Sequence, residues 1–126
     1  MSINPHIADL KKIGTSVWLD DLSTDLLDSG AVDTCINEMG VVGITTNPSI
    51  FEKSITMSST YDATIAQCAA AGESASEATF SLICKDVDEA CKKLLPIWES
   101  SGGIDGRVSI EVEPGFAHDT ANTVKP

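Results

Sequence analysis

Arginine is all but missing from these 126 residues: Arg107 stands alone. A phosphate-binding cluster cannot be assembled from one guanidinium, so a phosphorylated substrate would find most of its grip outside this chain. Basic residues of both kinds number 8 against 19 acidic ones, a net charge of −11. That balance excludes nucleic acid, whose binding needs a basic footprint. It leaves an anionic small molecule open, because a few local donors overcome a distant negative field in salt. Histidine occurs only as His6 and His118, and the cysteines, Cys35, Cys68, Cys84 and Cys91, form no CxxC pair. No metal site is expected from such a set. The cysteines read as reduced, buried, small hydrophobes of a cytosolic protein, and the two histidines as surface or capping residues. No apolar run approaches transmembrane length, and the opening Met-Ser-Ile-Asn-Pro-His has neither the basic nor the apolar region of a secretory leader. A cytoplasmic location without membrane contact is the expectation.

What is present is enough for one domain spanning 1–126, with 42% apolar residues to fill a core. The pattern alternates helix and strand. A helix is predicted over Pro5–Lys12, with Pro near its start and Lys11-Lys12 near its end. Thr15-Ser16-Val17-Trp18-Leu19 reads as a strand ending in Asp20-Asp21, with Trp18 in the core. A capped short helix follows Ser23-Thr24, and a second runs from about Ala31 to Glu38. Val41-Val42-Gly43-Ile44 is a buried strand leading into Thr45-Thr46-Asn47-Pro48. Helices are predicted after Pro48, from Thr60 to Ala71, and from Ser74 to Trp98. The last is expected to break near Lys85-Asp86 and to have its last turn bent or shortened by Pro96. Arg107 to Val112 alternates as a third strand, and Ala117 onward opens another helix. Helix–strand alternation of this kind signals a parallel sheet wrapped by helices.

Each strand carries a polar residue where α/β folds place their ligands. Pro48 disfavours the α region for Asn47 and suits the first turn of a helix, so Thr45, Thr46 and Asn47 sit at a strand-to-helix corner. Asn47 serves equally well as a helix cap. Asp20 and Asp21 point to opposite faces of the first strand, and Leu22 stands where a DxD phosphatase nucleophile motif would need its second aspartate. A lone Asp20 also fits a cap or a solvated loop end. Glu111 shares a face with Ser109 and Glu113 inside an apolar alternation; inside a covered strand a glutamate is costly, which points to function rather than to a solvent-facing position.

Three segments, Ser16-Val17-Trp18-Leu19-Asp20-Asp21-Leu22-Ser23, Val42-Gly43-Ile44-Thr45-Thr46-Asn47-Pro48-Ser49-Ile50-Phe51-Glu52-Lys53 and Asp105-Gly106-Arg107-Val108-Ser109-Ile110-Glu111-Val112, resemble transaldolase of the actinobacterial and plant type. The resemblance covers nearly the whole chain. It implies the first three β/α units of a (β/α)8 TIM barrel with inserted helices, the barrel being incomplete here. It also implies the pentose phosphate reaction, in which a dihydroxyacetone unit passes from a ketose phosphate to an aldose phosphate through a lysine Schiff base, with no cofactor. By the same resemblance, Asp20 matches the acid/base of carbon–carbon cleavage. Glu111 matches the carboxylate that shuttles protons through a bound water during imine formation. Thr45, Thr46 and Asn47 match the pocket that orients the dihydroxyacetone hydroxyls.

The Schiff-base lysine belongs on a fourth strand, in an apolar run that lowers its pKa. Lys11, Lys12, Lys53, Lys85, Lys92, Lys93 and Lys125 all fall in helical or loop-like segments. The chain alone is therefore expected to be inactive, as a fragment or short descendant of a transaldolase, and to self-associate through exposed strand edges. Two other classes stay in view. A fructose 6-phosphate aldolase would carry glutamine at position 111, and a sugar-phosphate-binding or regulatory module would bind without turnover.

Overall fold

The structure is a computed structural model that describes residues 3–111 and 114–124. Asn4 starts the first helix, α1 (Pro5–Lys12), its side-chain oxygen accepting the N–H of His6 at 3.0 Å. The chain then alternates: β1 (Trp18–Leu19), α2 (Thr24–Asp28), α3 (Ala31–Met39), β2 (Gly43–Thr45), α4 (Pro48–Met57), a 3-10 turn over Ser59–Tyr61, and α5 (Asp62–Ala71). After these come α6 (Ala75–Ser100), β3 (Arg107–Ser109), a 3-10 turn over Pro114–Phe116 and α7 (Thr120–Thr123). Capping chemistry sets most of the starts. Ser23 accepts the N–H of Leu26, Asp119 that of Asn122, and Ser74 with Glu77 forms a reciprocal capping box at α6.

The three strands form one parallel sheet in the order β1-β2-β3. Leu19, Ile44 and Val108 lie in register across it. All three turn to the helices, where Leu22, Leu27, Val32, Ile44, Ala90 and Leu94 make the main core. Ile44, Val32, Ala90 and Leu94 have no exposed surface at all. A smaller cluster, Phe51, Tyr61 and Leu82 with Ile55 and Ile83 against it, holds α4, the turn at Tyr61 and α6 together. The alternate row, Trp18, Gly43 and Arg107, faces away from the helices, as do Thr45 and Ser109. Trp18, Arg107 and Ser109 are exposed there, so helices cover one face of the sheet and leave the other open.

Several expectations from the pattern are corrected. The first strand pairs over two residues only, and the third stops at Ser109, so Glu111 lies past the ladder and is exposed rather than buried within a strand. Val112 and Glu113, also placed on that strand or its turn, lie outside the described residues. Trp18 is 40% exposed and rests on Gly43 on the open face, not in the core. Of the cysteines only Cys68 is buried; Cys84 and Cys91 are exposed on α6, Cys35 is half-buried, and all four are free. The break near Lys85-Asp86 does not occur. Asp86 occupies an inward position of α6 and is satisfied by hydroxyl donors from two other segments. Pro96 sits on the exposed side of α6, where its missing N–H forfeits one helical bond without ending the helix. Gly102 and Gly103, at φ 65° and 82°, end it instead. The final helix starts at Thr120 rather than near Ala117. No helix among the described residues is long and apolar enough to cross a membrane.

Candidate active site

Because the strands are parallel, their C-terminal ends deliver the next residues to one edge of the sheet. Asp20 follows β1 directly, Thr45 closes β2 with Thr46 and Asn47 after it, and Glu111 comes two residues beyond β3. Alternation continued from the ladder gives Asp20, Thr45, Asn47 and Glu111 the parity of the open face, and Thr46 that of the covered face. Burial agrees: Thr46 is 4% exposed, whereas Thr45 and Asn47 are half-buried and Asp20 and Glu111 exposed.

Two links tie the three strand ends together. The Nδ2 of Asn47 donates to Oδ2 of Asp20 at 3.4 Å, joining the ends of β1 and β2. The N–H of Thr46 donates to the carbonyl of Ser109 at 3.0 Å, and Thr46 Oγ1 accepts the N–H of Glu111 at 2.9 Å, joining β2 to β3. Asn47 is also the cap of α4, its Oδ1 accepting the N–H groups of Ser49 and Ile50 at 3.1 and 3.4 Å. Cap and site residue are thus one side chain used from both ends. Thr45 Oγ1 donates to the carbonyl of Thr46 at 3.3 Å. The carboxylate of Glu111 accepts no hydrogen bond from the described residues, which leaves it free for a solvent or ligand partner.

The neighbouring carboxyl, Asp21, is half-buried; that burial, and then the charge of Asp20, raise it above the ordinary carboxylate range. The edge as assembled offers the amide of Asn47, the hydroxyl of Thr45 and two exposed carboxylates, with the Thr46 hydroxyl buried behind them. It can hold a polyhydroxylated molecule by hydrogen bonds and move protons to or from it.

A second polar cluster lies behind this edge, and the sequence pattern did not bring it out. Thr24 Oγ1 and Tyr61 Oη donate to the two oxygens of Asp86 at 2.6 and 2.8 Å, and the N–H of Thr24 donates to Tyr61 Oη at 2.8 Å. Burial raises the Asp86 carboxyl, against the opposing pull of the Thr24 and Tyr61 hydrogen bonds. Burial likewise pushes the Tyr61 phenol up to about 12. The signal was a lone aspartate at 86 between Leu82, Ala90 and Leu94, all on the i, i+4 row that faces the core.

With that geometry in view, comparison with known proteins is decisive about kinship. The family described as Transaldolase/Fructose-6-phosphate aldolase matches residues 17–126. This chain belongs to that family. The transaldolase of Mycobacterium tuberculosis (strain H37Rv) is 50% identical over 122 residues, which is 97% of this chain and 33% of that protein. The transaldolase of Mycobacterium marinum is 48% identical over 124 residues, 98% of this chain and 33% of that one. The transaldolase of an Arthrobacter species (strain FB24) is 50% identical over 115 residues, 91% and 31% respectively. The chain thus spans about a third of the length of the curated relatives it matches. Transaldolase-family membership implies a TIM-barrel type of fold, and the three-stranded parallel sheet with one uncovered face is consistent with part of such a barrel. The region matched by the family includes all three strand ends.

Proposed function

We propose that these residues form the first three β/α units of a transaldolase barrel and supply part of its active site. The observation that carries this reading is that Asp20, Thr45, Asn47 and Glu111 lie at the C-terminal ends of three parallel strands, tied together by the Asn47–Asp20 and Thr46–Glu111 hydrogen bonds, beside a sheet face that no helix among the described residues covers. In a closed barrel that face turns to the interior, and the strand C-terminal ends form the catalytic mouth. The reaction is transfer of a dihydroxyacetone unit from a ketose phosphate to an aldose phosphate. Asn47 and Thr45 orient the dihydroxyacetone hydroxyls; Thr46, expected from the sequence to join them, is buried on the covered face and instead holds the backbone of Glu111 in place. Asp20 takes the hydroxyl proton as the carbon–carbon bond breaks and returns it when the new bond forms. Glu111 serves the proton transfers of imine formation and hydrolysis through water, a role suited by a carboxylate that accepts no hydrogen bond from the described residues.

The reaction needs an amine for the Schiff base, set in an apolar strand that lowers its pKa. Among the described residues, Lys11, Lys12, Lys53, Lys85, Lys92 and Lys93 all lie on helices. The proposal therefore takes that amine from sequence beyond these residues, and it takes the phosphate grip from there too, Arg107 being the single guanidinium. The test is a chimera in which the remaining two-thirds of the Mycobacterium tuberculosis transaldolase follow residue 126. It is expected to transfer the three-carbon unit from fructose 6-phosphate to an aldose phosphate, and Asp20→Ala within it to lose about 10²- to 10⁴-fold in turnover. The 126-residue chain alone is expected to give no borohydride-trapped adduct with fructose 6-phosphate. A folded chimera without transferase activity, or a stable adduct on a lysine of the isolated chain, overturns the proposal.

A further inference from the structure

Tyr61 touches the residue four places after each of the two side chains that meet at the site edge. Its Oη accepts the N–H of Thr24, four residues after Asp20, at 2.8 Å. Its ring meets that of Phe51, four residues after Asn47, edge to face, with centroids 5.6 Å apart and planes at 69°. Phe51 is joined to Asn47 directly, its N–H donating to the Asn47 carbonyl at 2.9 Å. The phenol is fixed from behind by Asp86 of α6, which also takes the Thr24 hydroxyl. Tyr61, Phe51 and Asp86 are 2 to 3% exposed, so this is a packed junction without slack.

Next to it, the Asp25 carboxylate accepts the hydroxyls of Ser58 and Thr60 at 3.1 and 2.8 Å. The segment Ser58–Tyr61, which lies between β2 and β3 in sequence, is thereby bolted onto the start of α2. In contrast, the direct link between Asp20 and Asn47 is a single hydrogen bond of 3.4 Å at an exposed edge. A bond of that length and exposure does not hold two loops in register by itself.

We propose that Tyr61 is a positioning residue: through Thr24 on one side and Phe51 on the other it sets the spacing between Asp20 and Asn47. Asp86 holds the phenol in the orientation that lets it do so. The catalytic meaning of this spacing rests on the transaldolase reading above; the spacing itself is a property of the chain and is measured without substrate.

The experiment reads the side-chain NH2 signals of Asn47 by NMR in the 126-residue chain, with Asp20→Ala marking where they fall once the link to Asp20 is lost. Tyr61→Phe keeps the ring and removes the hydroxyl. It is expected to move the Asn47 signals toward the Asp20→Ala position while the backbone spectrum stays dispersed. Asp86→Ala is expected to do the same. Asp86→Asn, which can still accept from the phenol and meet the Thr24 hydroxyl, is expected to leave the signals at their wild-type position. Leu94→Val loosens the main core without touching the junction and controls for general destabilisation. A folded Tyr61→Phe chain with unmoved Asn47 signals, or an equal movement in Leu94→Val, overturns the proposal. Should Tyr61→Phe fail to fold, Phe51→Leu probes the other side of the same contact and is judged in the same way. Turnover of the chimera decides the function and these signals decide the positioning, so either can fail alone.

Discussion

The hydroxyl of Thr46 accepts the backbone N–H of Glu111 at 2.9 Å, two residues past the point where the backbone ladder between β2 and β3 ends. A buried side chain thus extends the pairing of the strands as far as the acidic residue and fixes where Glu111 leaves the sheet. The covered parity of Thr46 is what allows this: its neighbours Thr45 and Asn47 face the open side and cannot reach back.

Replacing Thr46 by valine keeps the volume and leaves the Glu111 N–H without its acceptor. The expected cost is about 1–3 kcal/mol of stability, read by urea unfolding, together with faster hydrogen exchange at the Glu111 amide. Thr46→Ser, which keeps the acceptor, is expected to retain slow exchange. Unchanged exchange in the valine variant would count against the link.

Asn47 holds α4 with its oxygen and Asp20 with its nitrogen, and two substitutions separate these roles. Asn47→Ala loses both and is expected to lower stability by about 0.5–2 kcal/mol. Asn47→Ser still caps, so its stability should lie close to wild type, while the chimera carrying it loses turnover. Equal melting losses in both variants would show that the cap contributes little.

Tyr61 is the sole tyrosine of the chain, so its alkaline titration can be followed by phenolate absorbance alone. Burial raises its pKa from 10.0 to about 12 in the folded state. Between those values the unfolded chain releases this proton and the folded chain keeps it. Stability is therefore unaffected by Tyr61 below about pH 10 and is lost as the pH rises toward 12. The absorbance change is expected in the upper part of this window and coincident with loss of the fold. A midpoint near 10 with the fold intact would mean that the phenol is not buried.

Gly43 and Gly106 differ in what a methyl group would meet. At Gly43 a Cβ would lie 2.3 Å from Cε2 of Trp18, a ring with solvent on one side into which it can swing. Gly43→Ala is expected to cost about 1–3 kcal/mol and to alter tryptophan fluorescence. At Gly106 the clash, also 2.3 Å, is with the backbone N of Trp98 inside α6, and φ is +78°. Neither can relax, so Gly106→Ala is expected to be the more damaging, above about 3 kcal/mol. The reverse order in thermal melts would contradict the geometry.

Within the described residues β1 and β3 each pair on one side only, so no strand covers their outer edges. The isolated chain is expected to self-associate through these edges as its concentration rises. Analytical ultracentrifugation checks this, and a sedimentation profile of monomer alone over a wide concentration range would refute it.

Much of this molecule was legible in its residues. Pro5–Lys12 became a helix with the bounds its proline and lysines imply, and the parallel order of three strands followed from the alternation of helix and strand. The polar strand ends Asp20, Thr45, Thr46, Asn47 and Glu111 were marked by chemistry that jars with an apolar run. Such features are local: a cap, a proline or a period of two or 3.6 acts within a few residues.

Other features depend on what approaches from elsewhere in the chain. Asp86 can face the core from an unbroken α6 because the hydroxyls of Tyr61 and Thr24, distant in sequence, satisfy its carboxylate. Trp18 lies on the open face because register places it over Gly43, and Glu111 lies outside a strand because the ladder stops at Ser109. Sequence by itself determined which groups are available at the strand ends. Tertiary structure alone decided which of them touch, because a hydrogen bond formed across the sheet depends on the relative placement of segments that no local propensity encodes.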